Sequence, residues 1–215
     1  MKVAVIGATG FVGQNLVEEL SNRGHEVIAI ARHAATLEGK ANVTAKAADV
    51  NDVPALAAAL NGAEVVVSAF NAGWTNPNLY NDFLKGSKDI QQAVKDAGVN
   101  RLIVIGGAGS LFIDGKQLVD GPDFPADYKA GATAARDYLN LIKEEKDLNW
   151  SFFSPAIEMH PGITTGRTGN YRLSLENPVF NEEGRSILSV QDLAVAIADE
   201  VENNQHSQQR FTAAY

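Results

Sequence analysis

The chain has 215 residues, a formal net charge of -8, 45% hydrophobic and 20% charged residues, and no cysteine. Such a length and composition describe one large soluble domain with a packed core. The acidic balance excludes a broad basic face for nucleic acid, and the missing thiols exclude disulfides, thiolate metal sites and a cysteine nucleophile. No run of about 18 apolar residues offers a membrane span, and the opening MKVAVIGATG is not laid out as a secretory signal. A cytoplasmic protein handling small molecules, as a monomer or homodimer, is expected.

In chain order, KVAVI (2–6) reads as a buried strand, and Phe11 to Arg23 as a helix with Val12, Leu16 and Leu20 at helical spacing. Gly24 ends that helix before a second strand, EVIAIA (26–31). A third strand is expected in 42–49, then a helix from Val53 to Leu60 with Pro54 in its first turn. EVVVSAF (64–70) is the fourth strand, followed by a helix from about Pro77 to Ala97, stopped by Gly98. RLIVIGG (101–107) is the fifth strand, Asp127 to Lys146 a helix, and WSFFSP (150–155) the sixth strand. Beyond Pro155 the pattern loosens: short strands are expected near 171–173 and 186–188, a helix from Val190, and a last strand in 210–215.

This alternation predicts an α/β fold of the Rossmann type, a doubly wound parallel sheet with right-handed helical crossovers. Both faces of such a sheet are covered, which accounts for the near-continuous apolar strands. One domain, 1–215, is expected, with 156–189 forming a small cap on the substrate side.

The stretch VIGATGFVGQ places glycines at 7, 10 and 13 between the first strand and first helix. That context makes a dinucleotide-binding loop. Gly7 turns the chain off the strand, Gly10 leaves room for a pyrophosphate against the backbone, and Gly13 lets the helix approach the sheet. The helix starting at Phe11 and Val12 then points free N–H groups and its positive end at the phosphates. At the end of the second strand, where an acid would bind the ribose 2′-OH of NAD, stand Arg32 and His33. A guanidinium grips a 2′-phosphate with two bonds, so NADP is the expected cofactor, with NAD as the alternative. Thr9 can add a hydroxyl to the phosphate site.

GATGFVGQ, Arg32, AADV (47–50), VSAFNAG (67–73), VIGGAGSL (104–111), SPAIEMHPG (154–162) and LSVQDLAVAI (188–197) together resemble the atypical short-chain dehydrogenase/reductase superfamily. The nearest branch is that of NAD(P)H-binding proteins labelled NADH-flavin reductases or epimerase-like. The resemblance implies that Asp49 and Val50 flank the adenine, that Ser68, Ala69 and Phe70 line the cofactor path, and that Pro155 and Ala156 lie beside the nicotinamide. Gly106 and Gly107 stand where many relatives carry serines.

Most of that superfamily pairs a catalytic Tyr with a Lys four residues on. Here Tyr128 takes the tyrosine register and Ala132 the lysine register, while Lys129 points about 100° away from Tyr128. A cation about 4 Å away supplies roughly 4 kcal/mol toward ionising a phenol at an effective dielectric near 20. A tyrosine without it is ionised to about one part in a thousand at pH 7. Ser110 is the remaining candidate to enter the site, from the loop after the fifth strand. Reducing a flavin asks for less, because the acceptor takes hydride and its proton comes from water, while the protein orients the partners.

The expected activity is therefore NAD(P)H-dependent reduction of a planar acceptor such as a flavin. A sugar-nucleotide epimerase or dehydratase and a non-catalytic NADP(H) redox sensor are the alternatives. Segment 108–126 is too long for a routine connector and, with 156–172, is expected to wall the acceptor pocket. Trp74, Phe112, Met159 and His160 are candidates to face a planar ring. The four histidines lack metal-ligand spacing, so no metal site is expected. The pairs Glu18–Glu19, Glu144–Glu145 and Glu182–Glu183 read as solvated surface.

Overall fold

A computed structural model describes all 215 residues. The elements are β1 (Lys2–Ile6), α1 (Phe11–Asn22), β2 (Glu26–Ala31), β3 (Val43–Ala47), α2 (Val53–Ala59), β4 (Val65–Ser68), α3 (Leu79–Asp96) and β5 (Arg101–Ile105). There follow β6 (Phe112–Ile113), β7 (Lys116–Gln117), α4 (Ala126–Ile142), β8 (Asn149–Ser154), β9 (Arg172–Ser174), α5 (Val190–Asn203) and β10 (Gln209–Ala214).

Eight strands form one sheet in the order β3-β2-β1-β4-β5-β8-β10-β9. Every neighbouring pair is parallel except the edge pair β9–β10. This is the doubly wound Rossmann architecture. The order reverses between β1 and β4, and that switch point opens a crevice beyond the carboxyl ends of the strands.

Alternation along the strands sorts the side chains into two cores. Val3 and Val5 of β1, Val27 and Ala29 of β2 and Ile103 of β5 pack under α1 and α5. Ala4, Ile6, Ile28, Ile30 and Leu102 pack under α2, α3 and α4. In α1, Leu16, Val17 and Leu20 are fully buried, each contributing roughly 1.5–3 kcal/mol by leaving water. Side-chain caps set two helix starts: Asp52 accepts from the Ala55 N–H, and Ser189 from the Asp192 N–H. An αL residue, Asn204 at φ 47°, ends α5.

Several expectations need correction. The helix expected to reach Lys146 stops at Ile142, because the next turn folds inward: the buried Trp150 indole donates to the Glu145 carbonyl at 3.3 Å. The strand expected at 186–188 reduces to one bridge, Ile187 to Glu158. Segment 108–126, left without elements by the sequence pattern, has local structure of its own. It holds two 3-10 turns, Ala108–Ser110 and Leu118–Asp120, and the hairpin β6–β7, turned at Asp114 and Gly115, both at positive φ.

In two of the acidic pairs one member is solvated, Glu18 and Glu144, and the other is not. The Glu19 side chain is 7% exposed between Arg23 and Arg167. The Glu145 side chain is 8% exposed and meets Lys95 at 3.1 Å. Burial works against its ionised form. The Asp147 amide, the Gln91 side chain and the Lys95 ammonium nevertheless hold its pKa at about 2.

Candidate cofactor and active site

The glycine loop sits at the switch point. Gly7 has φ 76°, and a Cβ there would stand 2.6 Å from the Ala69 carbonyl oxygen, so the turn off β1 touches the end of β4. A Cβ on Gly13 would stand 2.0 Å from the Gly7 carbonyl oxygen, so α1 lies directly on the loop. Gly10 is exposed at the helix N-cap, where no side chain satisfies the helix. The N–H groups of Phe11 and Val12 have no acceptor within the chain. Bare amides, a helix of 12 residues behind them and an open approach at Gly10 fit a pyrophosphate. Thr9 lies half-buried in the same loop, its carbonyl held at 2.6 Å by the Gln14 side chain.

Arg32 follows β2 directly. It is exposed, and no ion pair of the chain engages it. Its charge is thus uncompensated beside the phosphate loop. Asp49, exposed beyond β3, folds back to accept from the Asn51 N–H at 2.9 Å, and Val50 is half-buried beside it. At the end of β4, Ser68 is buried, Ala69 donates its N–H to the Ile6 carbonyl at 2.9 Å, and Phe70 stacks on Phe83 at 5.9 Å.

The carboxyl end of β5 explains its own glycines. A Cβ on Gly106 would stand 2.0 Å from Cζ of the buried Phe152 of β8, so Phe152 occupies the volume a side chain would need. Gly107 faces α4, with the Ala135 methyl 3.5 Å from its virtual Cβ. Ser110 is 1% exposed. Its hydroxyl accepts from Arg210 Nη1 at 3.0 Å and lies 3.3 Å from the Ser154 hydroxyl. The structure therefore places Ser110 inside the protein, whereas Tyr128 is 54% exposed at the start of α4. Pro155 and Ala156 follow β8 as a buried pair at the same end of the sheet.

Ala132 is buried in α4, and its methyl would lie 2.9 Å from a Cβ on Gly109. The first turns of α4 and the turn after β5 are thus in close contact, and position 132 carries no ammonium. The site has open positions for a cofactor and no Tyr–Lys relay beside them.

Two groups of residues around the site went unrecognised in the sequence. Segment 156–172 is fastened by Arg167, which donates to Glu19 at 2.8 and 2.9 Å. Its Thr168 and Gly169 N–H groups donate to the buried Asp192 at 2.9 and 2.8 Å. The Arg167 guanidinium, ahead of the opposing burial and of Arg23, draws Glu19 below the usual carboxylate range. On the other side, buried Arg210 joins Ser110 and Ser154 to Glu176 and lies 6.0 Å from the Phe112 ring centroid. The signal for Arg210 was an arginine inside an otherwise apolar last strand, which is buried from Arg210 to Ala214.

The family model for NAD(P)H-binding proteins matches residues 7–204. A Bacteroides thetaiotaomicron structure provisionally named an epimerase superposes with a TM-score of 0.90 at 41% identity, covering 100% of this chain and 96% of the other. A Streptococcus pneumoniae structure provisionally named an NADH-flavin reductase gives 0.86 at 37% identity, over 100% and 99%. An uncharacterised protein of Bacillus subtilis is 34% identical over 99% of this chain and 97% of its own length.

Proposed function

The chain belongs to the NAD(P)H-binding family, and from that premise we propose that it is an NADPH-dependent reductase that delivers hydride to a planar acceptor such as a flavin. The observation that supports this reading is a contrast within one cleft. Exposed, unpaired Arg32 stands beside an open amide cradle, while Ala132 is wedged against Gly109 where a proton relay would need its lysine.

The nicotinamide, when bound, supplies the hydride. The amides of the loop and the start of α1 would hold the pyrophosphate, Arg32 would grip the 2′-phosphate, and residues at the ends of β4, β5 and β8 would line the path of the ring. The acceptor's remaining proton comes from water, so no side chain has to ionise. The printed name of the pneumococcal relative is in keeping with such an acceptor. The epimerase name of the Bacteroides relative would require a base for a hydroxyl proton, and the Ala132 packing speaks against one.

Purified protein mixed with NADPH and FMN or a quinone should oxidise NADPH above the buffer blank, read at the nicotinamide absorbance band. Tight binding of NADPH with no turnover on any flavin or quinone would favour a sensor and reject the reductase.

A further inference from the structure

Four aromatic or soft side chains near the cleft could meet a planar ring, and three are already committed. Phe112 lies 6.0 Å below the Arg210 guanidinium. Met159 packs onto the core beneath α1 and α5. The His160 ring folds back to accept from the Gly162 N–H at 3.1 Å. The fourth, Trp74, is 58% exposed, the most exposed of the chain's large hydrophobic residues.

Trp74 is not a stray surface residue. It lies on the loop leaving β4, and its six-membered ring rests on α4 at Gly131, where a Cβ would stand 2.9 Å from Cζ3 and 3.4 Å from Cη2. Tyr128, one turn earlier on that helix, meets it edge to face, with centroids 5.5 Å apart and planes at 88°. Both rings are more than half exposed. The next residue after Gly131 is Ala132, packed on Gly109 beyond the end of β5. The pair therefore stands at the lip of the cleft, between the ends of β4 and β5 and the first turns of α4. An edge-to-face pair holds each ring in place and leaves ring faces free for a third. Indole and phenol are electron-rich, which suits an electron-poor fused ring.

We propose that Trp74 and Tyr128 form the docking platform for the acceptor, recognised as a flat, electron-poor fused ring system, an isoalloxazine or a naphthoquinone. The inference rests on the reductase reading and adds the place where the acceptor binds. It also gives Tyr128 a role through its ring rather than through its hydroxyl proton.

The test titrates FMN with the full chain in the presence of NADP⁺, following flavin emission, which stacking on an indole extinguishes. Steady-state NADPH oxidation is measured alongside, with FMN and with menadione as separate acceptors. Saturable quenching is expected for the wild type. Trp74→Leu should weaken FMN binding and raise KM for FMN about threefold to tenfold, as the loss of one aromatic contact predicts, with KM for NADPH held. Gly131→Ala, which keeps the indole but pushes it off its seat, should move FMN the same way. A parallel rise for menadione assigns the platform to fused rings in general, and a rise for FMN alone assigns it to flavins. Wild-type turnover with neither FMN parameter moved in either variant overturns the platform and leaves the reductase standing. No wild-type turnover with any acceptor overturns both.

Discussion

Gly109 and Ala132 are packed against one another so closely that a Cβ on the glycine would come within 2.9 Å of the alanine methyl. The contact packs α4 against the turn after β5, and a methyl stands at the lysine register. Ala132→Lys should therefore not install a proton relay. It should lower stability by about 1–3 kcal/mol, the usual cost of overpacking, with no gain of alcohol dehydrogenase activity. Urea denaturation and an alcohol oxidation assay with NADP⁺ check both halves.

Gly106 and Phe152 are a second pair of this kind, with 2.0 Å between a virtual Cβ and the ring. Gly106→Ser should cost about 2–3 kcal/mol. Phe152→Leu alone should also destabilise, but the double variant should recover part of the loss, because the smaller side chain frees the volume that the serine needs. A double-mutant cycle by urea melting would show a favourable coupling. Simple additivity would mean that the glycine answers to something other than this ring.

The proposed grip of Arg32 on a 2′-phosphate makes a prediction about cofactor choice. Removing a charge-assisted grip on a phosphate costs about 1.5–3 kcal/mol, so Arg32→Ala should weaken NADPH roughly 10- to 100-fold. NADH, which lacks the 2′-phosphate, should change by less than about threefold. Calorimetric titration with both cofactors measures this, and equal losses would remove the basis for NADP.

The sign of the acid response follows from carboxylates held below their ordinary range. Glu145 sits at about 2. Glu19 is lowered first by Arg167; Asp137 is lowered against its burial by Tyr80 and Arg136. Each contributes stability that is complete above the unfolded value, near 4.3 for the glutamates and near 3.9 for the aspartate, and is lost as pH falls through the folded value. Stability should therefore drop between about pH 4.5 and 2. Glu145→Gln should lose about 1–2 kcal/mol at pH 7, discounted for the exposed Lys95 partner, and show a shallower acid slope. Urea midpoints at pH 7, 4 and 3 would display both effects.

The sheet was legible in the sequence because both of its faces are covered. Runs such as Val65–Ser68 and Arg101–Ile105 carry that burial openly, and the glycine spacing announced the turn between β1 and α1. The β6–β7 hairpin was hidden because its strands are two residues long, too short for any period to show, although Asp114-Gly115 is a tight-turn pair. Glu19 and Glu145 were misread because a surface acid and a buried acid look alike until their partners arrive from far along the chain. Arg167, the partner of Glu19, is 148 residues away. The burial of Ser110 was hidden for a similar reason: its partner Arg210 lies 100 residues on.

The tethers of segment 156–172 have a practical corollary. Arg167 and the Thr168–Gly169 amides clip it to Glu19 on α1 and Asp192 on α5, helices that share the sheet face opposite α4. On the proposed reading this segment is one bank of the crevice, and it is bolted down on two sides. Whoever wishes to broaden the range of oxidants this scaffold tolerates should diversify the opposite bank, residues 71–76, where a new side chain would not first have to break an ion pair to earn its space.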